Sequence, residues 1–532
     1  MKKIFFLLFA AILPAMSPEA SAQSGGFPFF RSFQDGVLTD IAFPPPYNNA
    51  GASRVNSAKL DETTRKGLVL TRGLQEVGAF YLPNHPFTTQ EGMLIEFEYI
   101  MMYTNPGATS QTDGISIFLV DNKPEYVGAN MKFGAQGAGF GYTHRAAINS
   151  VDRIVGIKGG YLAVAIDQGN FKNVRMEGYE MRNGIEYTNT PNAGAAPLRY
   201  DMGSNITIRG AAGNGTKYIN SKYPDQPEAY WGYPVLITRH TGGRSGQPGV
   251  EDPNTPGMRN EAGFMLNTTD GNFVQQVSPV IDKPFNIAGG GEFTYPDEPE
   301  YRKAIIALEP NKTGGGFKIT VTVQHGEEKT VVIKDFTYPS TLKYPENGLP
   351  FQMAGDVPVP YANPPIVEYT VPTPDELVVG FAASTGINTS YTNIIRNLRI
   401  TLLYGAESEN DLIYDHRRGP VTVKLLENDL AYQDVGGVPT PGKANLDPTS
   451  VRFWENENIF LGEGTAGFEH TVAKGKWVYD PEVGEMMFFP NKGATGEVSI
   501  MYDVKGKHLP YSDERYRSSK ATISVNIDDN QP

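Results

Sequence analysis

The chain has 532 residues, with 46 basic against 59 acidic side chains, no cysteine, 58 glycines and 40 prolines. The acidic balance would repel a phosphate backbone, and no basic stripe with interleaved aromatics is present, so a nucleic-acid partner is not expected. Without cysteine there are no disulfides, no thiolate metal sites and no lipid-modified cysteine anchor, while abundant Gly, Pro, Tyr and Phe point to many short strands joined by turns.

Residues 1–22 begin with Lys2 and Lys3, continue through an apolar run and close on Ala20, Ser21 and Ala22, the three parts of a secretory signal peptide. That run is too short to cross a bilayer, and no later segment reaches about 18 apolar residues, so an exported chain without a transmembrane helix is expected. Residues 23–56 read as loop, with Pro44, Pro45 and Pro46 in a row. Strands are predicted at 67–71, 78–82 and 93–103; in the last, Leu94, Glu96 and Glu98 alternate with Ile95, Phe97 and Tyr99. Two acids on one strand face suit the paired carboxylates of a glycoside hydrolase, and equally suit an exposed sheet face, which is the reading adopted.

TDGISIFLVD, residues 112–121, is a strand opened by an acid and a glycine. The glycine-rich run GAQGAGFGYTHR, 134–145, either lets backbone N–H groups approach a ligand or makes a tight connection between strands; it lacks the Gly-Lys-Ser/Thr ending of a phosphate loop. GGYLAVAIDQGNFKN, 159–173, reads as a strand apolar on both faces that ends by delivering Asp167 into a polar loop. An acid there needs backbone N–H groups, a cation or a metal, and Asp167, Gly169, Asn170 and Asn173 fit either an Asx turn or a set of oxygen ligands for a hard cation.

Residues 216–300 are rich in Gly, Pro, Asn and Asp and read as an elaboration, with short strands at 234–239 and 263–266. Regular strands resume at 303–308, 317–324 and 329–333, the last two forming a hairpin through His325 and Glu328. GFAASTGINTSYTNIIRNLRIT, 380–401, is strand, polar loop and strand. A polar segment over 405–418 marks a domain boundary, beyond which GPVTVKLLENDL, KGKWVYD, MMFFP, GEVSIMYDV and ATISVNI read as a small all-β domain with Trp477 as core anchor. The seven histidines are scattered, with no His-x-x-x-His pair and no Gly-x-Ser-x-Gly elbow, so triad hydrolases and zinc enzymes lack support.

Four of these stretches, 68–87, 112–121, 159–173 and 380–401, together with NITIRGAAGNGTKY at 205–218, resemble in order and spacing the L-type lectins, the legume lectins and their bacterial relatives. The resemblance covers most of 22–405 and implies an all-β, concanavalin-like jelly-roll sandwich over 23–405 with an insertion around 216–300. The part from 406 to 532 resembles the immunoglobulin-like β-sandwich repeats of bacterial surface proteins. In the lectin family a sugar is held by an Asp, a glycine, and an Asn with an aromatic ring; matched by position these are Asp113, Gly139, Asn170 and Phe171, with a cis bond between Thr112 and Asp113. The resemblance also implies Ca2+ held by Asp167, Asn170, Asn173 and Asp201. Ala165 stands where the legume lectins place a metal-binding Glu, and Asp167 to Asn170 is one residue shorter than their spacing. The function implied is an exported, non-catalytic carbohydrate-binding protein for glycan recognition or adhesion at a bacterial cell surface. The alternatives are a glycoside hydrolase on the same fold and a structural envelope protein without sugar binding.

Overall fold

The computed structural model describes residues 26–46, 55–61, 66–103, 114–143, 156–168, 171, 174–176, 179–182, 185–186, 204–213, 232–241, 263–267, 269, 273–276, 281, 283–289, 296–345, 352–354, 357–359, 366–385, 391–415 and 419–527. The architecture is all-β: among the described residues the only helices are three-residue 3-10 turns. Two large antiparallel sheets form the N-terminal part. One has the strand order Glu328–Thr337, Phe317–His325, Arg302–Pro310, Met93–Tyr103, Tyr391–Thr401, Leu68–Thr71 and Lys59–Leu60, with Phe29–Arg31 also paired to Tyr391–Thr401. The other runs Phe273–Gln276, Gly263–Leu266, Val235–His240, Asn205–Arg209, Gly160–Asp167, Gly114–Asp121, Glu376–Ser384 and Val77–Tyr81, with Phe87–Thr88 also paired to Glu376–Ser384. Leu68–Thr71, Val77–Tyr81, Met93–Tyr103 and Gly114–Asp121 fall in alternate sheets, so the chain crosses repeatedly between layers in the manner of a jelly roll. The described strands of the 216–300 stretch extend this second sheet.

Alternation along each strand sets the layers. Met93, Ile95, Phe97, Tyr99 and Met101 enter the core between the sheets, where they meet Ile115, Ile117, Leu162, Val164, Ile166, Ile206 and Ile208 from the other side. The second sheet is also covered on its outer face: Ala79, Phe118, Ala163, Ala165 and Ala382 pack beneath Phe133, Phe140, Tyr142, Phe171 and Tyr233 from the connecting loops. A sheet buried on both faces explains the nearly continuous apolar runs of its strands. The expected hairpin is present, with Gln324 opposite Lys329 and His325 opposite Glu328, and Gly326 at φ 63° supplies the left-handed turn.

The outer face of the first sheet differs from the expected exposed surface. Glu96 pairs with Lys303 at 2.8 Å and Glu98 with Arg396 at 2.6 Å, and all four side chains are largely buried. Burial alone would raise the Glu96 carboxyl, but Lys303 and Arg399 outweigh it and hold it below its usual value. The segment after Leu402 lies against this face, where Arg399 donates to the Ser408 carbonyl oxygen at 2.7 Å. Both acids of the candidate hydrolase pair are therefore committed to structural ion pairs.

Beyond this segment a second hydrophobic cluster gathers residues from Ala406 to Ile527. It lies between a five-stranded sheet, in which Asp411–Asp415 runs parallel to Ala521–Ile527, and a four-stranded sheet made of Val421–Lys424, Glu485–Pro490, Gly475–Asp480 and Phe468–Val472. Trp477 is fully buried there, 4.6 Å from the Phe488 ring. Tyr511 and Tyr516 instead join the first core, and Arg31 to Glu457 at 3.0 Å and Arg515 to Glu91 at 2.7 Å tie the two parts together.

Inside the C-terminal part the Tyr502 hydroxyl lies 2.8 Å from Asp429 and 3.2 Å from Asp411, with the Leu425 and Glu409 carbonyl oxygens at 3.1 and 3.2 Å. One hydroxyl proton satisfies one acceptor, so this ring of oxygens favours a protonated carboxyl. Burial pushes both Asp411 and Asp429 up to about 7. The folded carboxyl keeps its proton to about pH 7 while an unfolded Asp releases it near pH 4, so these groups stabilise the fold fully at low pH and lose that contribution as pH rises through this window. Asp429→Asn, neutral at every pH, should be more stable than the parent by on the order of 2 kcal/mol near pH 8, with the difference shrinking toward zero near pH 4. Urea denaturation at the two pH values checks this, and a difference that does not change with pH would refute it.

Candidate functional site

The candidate site lies at one end of the doubly buried sheet. In register, Gly114 pairs with Asp167 on one side and with Ser384 on the other, and Asn205 pairs with Asp167. Strand ends remote in sequence thus meet at one rim. Gly114 is required there because a Cβ would stand 2.0 Å from the Ile166 carbonyl oxygen and 2.9 Å from the Phe140 ring.

Of the expected sugar ligands, Asp113 and Asn170 lie outside the described residues, as do the calcium candidates Asn173 and Asp201 and the Thr112–Asp113 bond. Gly139 is described. It closes the 3-10 turn Gly137–Gly139 and is buried, and its carbonyl oxygen accepts from the Tyr142 and Thr143 amides. A Cβ on it would approach the Ala135 Cβ to 2.7 Å. The surrounding hydrogen bonds, Ala135 to Thr143, Gly141 to Ala135 and Gly137 to the Ser384 hydroxyl at 2.5 Å, build the tight connection that was one of the two readings of this run.

Phe171 is the main correction. The expected stacking ring is fully buried, stacked on Phe140 with centroids 5.0 Å apart and planes inclined by 27°, and the Arg209 guanidinium carbon sits 5.0 Å from its centroid. Ala163 and Ala165 leave room for these rings above the sheet, so the aromatic residue fills the outer core and presents no face to solvent.

Asp167 is also fully buried. Its Oδ1 accepts from the Phe171 amide at 3.2 Å, the Asx-type closure of the loop, and Thr207 Oγ1 lies 3.5 Å from Oδ2. Sequence reasoning missed Arg209, which is fully buried and reaches the same loop from the next strand. Its Nε and Nη2 donate to the Phe171 carbonyl oxygen at 2.9 and 2.6 Å, and its Nη1 donates to the Tyr233 carbonyl oxygen at 2.7 Å. The signal was present in N-I-T-I-R: Ile206 and Ile208 face the inter-sheet core, which puts Thr207 and Arg209 on the face of Asp167. Above them the Tyr142 hydroxyl donates to the Gly210 carbonyl oxygen at 2.9 Å, and burial holds its phenol well above the ordinary range.

Among the described residues no group of three or more His, Asp or Glu side chains gathers around a point. The described part of the loop is held by protein donors instead, the Phe171 amide on Asp167 and the Arg209 guanidinium on the Phe171 carbonyl. A hard cation would have to displace these bonds to use Asp167 Oδ1 or the Phe171 carbonyl oxygen, so these two oxygens do not fit one, while Asn170, Asn173 and Asp201 lie outside the described residues.

If Phe171 is core, Phe171→Ala should destabilise the fold by about 3–5 kcal/mol, the usual cost of emptying a buried aromatic site. Chemical denaturation reads this directly, and a cost below about 1 kcal/mol, as for an exposed ring, would contradict the placement.

No protein-family model matches the sequence, and no curated protein sequence matches it. Solved structures of lectin domains do. Lectin I-B4 from Griffonia simplicifolia in its metal-free form is 13% identical, over 70% of this chain and 98% of that one, with a TM-score of 0.29. Lectin II from Ulex europaeus is 11% identical over 71% and 99%, TM-score 0.32. The exoplasmic/lumenal domain of VIP36, solved with Ca2+ and Man3GlcNAc, is 11% identical over 68% and 84%, TM-score 0.27. Scores this low carry no argument about the chemistry of this chain, whose all-β sandwich stands on its own strand order.

Proposed function

We propose that this chain is a non-catalytic carbohydrate-binding protein whose site lies at the rim where the Gly114–Asp121, Gly160–Asp167 and Glu376–Ser384 strands end. The observation that carries the reading is the register: Gly114, next in sequence to Asp113, pairs with Asp167 and Ser384, and Ser384 accepts from Gly137 of the glycine-rich turn. Three loops that the resemblance marks as sugar loops thus start from neighbouring positions. In this reading Asp113 and Asn170 accept and donate to sugar hydroxyls, Gly139 keeps the middle loop close to the sheet, and Asp167 orders the third loop. Phe171 supports that loop from within.

Export by the leader at 1–22, a place at a bacterial cell surface, and an immunoglobulin-like role for the C-terminal sandwich as a spacer belong to the same proposal. Calcium on Asp167, with Asn170, Asn173 and Asp201, is the one part that the described donors do not favour. A hydrolase is the weaker alternative because Glu96 and Glu98 are ion-paired on the other sheet.

Sugars offer few apolar atoms, so one site should bind on the order of 1 mM, about −4 kcal/mol, and adhesion would come from many copies together. The test is retention on a glycan array displayed at high density. Asp113→Ala should abolish retention while changing stability by no more than about 0.5 kcal/mol, as this reading expects of an acid whose partner is the sugar. Unaltered retention by that variant, or release of reducing sugar by the parent, would overturn the proposal.

A further inference from the structure

We infer that Arg209 takes the place of a metal ion in this molecule: it is the internal cation that holds the loop after Asp167 on the sheet. The inference rests on the carbohydrate-binding reading only where it says that sugar retention needs no calcium. Phe171 is gripped from both sides. Its amide donates to Asp167, and its carbonyl oxygen accepts two hydrogen bonds from one guanidinium, at 2.9 and 2.6 Å. The third nitrogen of that guanidinium binds the Tyr233 carbonyl oxygen, so one planar cation joins two loops to the strand Asn205–Arg209. Fork geometry suits this task, since its donors are fixed in one plane and need little ordering.

A divalent cation bound to the Phe171 carbonyl would sit about 2.3–2.6 Å from that oxygen, in the space taken by the two Arg209 N–H groups, and the two positive charges would repel. The ring of the same residue adds to the grip, stacked on Phe140 and facing the guanidinium. Arg209 is therefore a positioning residue. It acts through Phe171 on the loop after Asp167.

The test is hydrogen exchange of the peptide spanning 167–173 in the full chain, with and without EDTA, alongside glycan-array retention. Protection of this peptide and retention in the parent should be unaffected by EDTA, and loss of either on chelation overturns the inference. Arg209→Met should speed exchange of the Phe171 amide by about tenfold or more while the strand Gly475–Asp480 stays protected, and Arg209→Lys, which keeps a cation but not the fork, should fall between. Exchange in Arg209→Met equal to that of the parent overturns it. Should the Met variant fail to fold, the Lys variant and the chelator arm decide. If the loop behaves as stated but the parent retains no glycan, the carbohydrate reading fails and the Arg209 clamp stands.

Discussion

Burial of one sheet on both faces is the constraint from which the rest of this structure follows. Water cannot reach the outer layer above Ala163 and Ala165, so every polar group placed there must be satisfied by protein. Among the described residues Asp167 and Arg209 are charged groups that enter it, and both bind the backbone of Phe171, Arg209 also holding the Tyr233 carbonyl oxygen. Small residues on the sheet make this possible: Gly114 admits the Phe140 ring, and the two alanines admit Phe140, Tyr142 and Phe171. The rim where this layer ends is consequently close-packed on its inner side.

The opposite layer solves a different problem. The outer face of the first sheet carries Glu96, Glu98, Lys303, Arg396 and Arg399 beside a small apolar cluster of Val69, Ile100 and Ile394, and the segment at 406–409 lies against the charged part. Ion pairs of this kind add little net stability but penalise wrong docking strongly, because any misplacement leaves a charge without its partner. Together with Arg31 on Glu457 and the tyrosines 404, 432, 511 and 516, they orient the C-terminal sandwich on the layer away from Asp167.

Several elements were legible before any coordinates. The alternation of Leu162, Val164 and Ile166 against Ala163, Ala165 and Asp167, the hairpin around Gly326, and Trp477 as a core residue are all read from neighbours in the chain, whereas Tyr161, expected on the alanine face, joins Leu162 in the core between the sheets. Phe171 was not legible. A lone aromatic between Asn170 and Lys172 has no periodicity, and its burial depends on Phe140 and Arg209, which come from other loops and strands. Glu96 and Glu98 look solvent-facing for the same reason: nothing in LIEFEYIM announces Lys303, Arg396 or the segment that covers them.

The all-β class and most long strands are written in the chain locally, because strand period and turn chemistry are properties of a few consecutive residues. Which strand ends share a rim, which acids are paired, and that a guanidinium holds Phe171 emerge from the packed fold alone. Those outcomes depend on strand order and register, which bring Asp167, Arg209 and Ser384 together across long stretches of chain, and no local pattern encodes that distance.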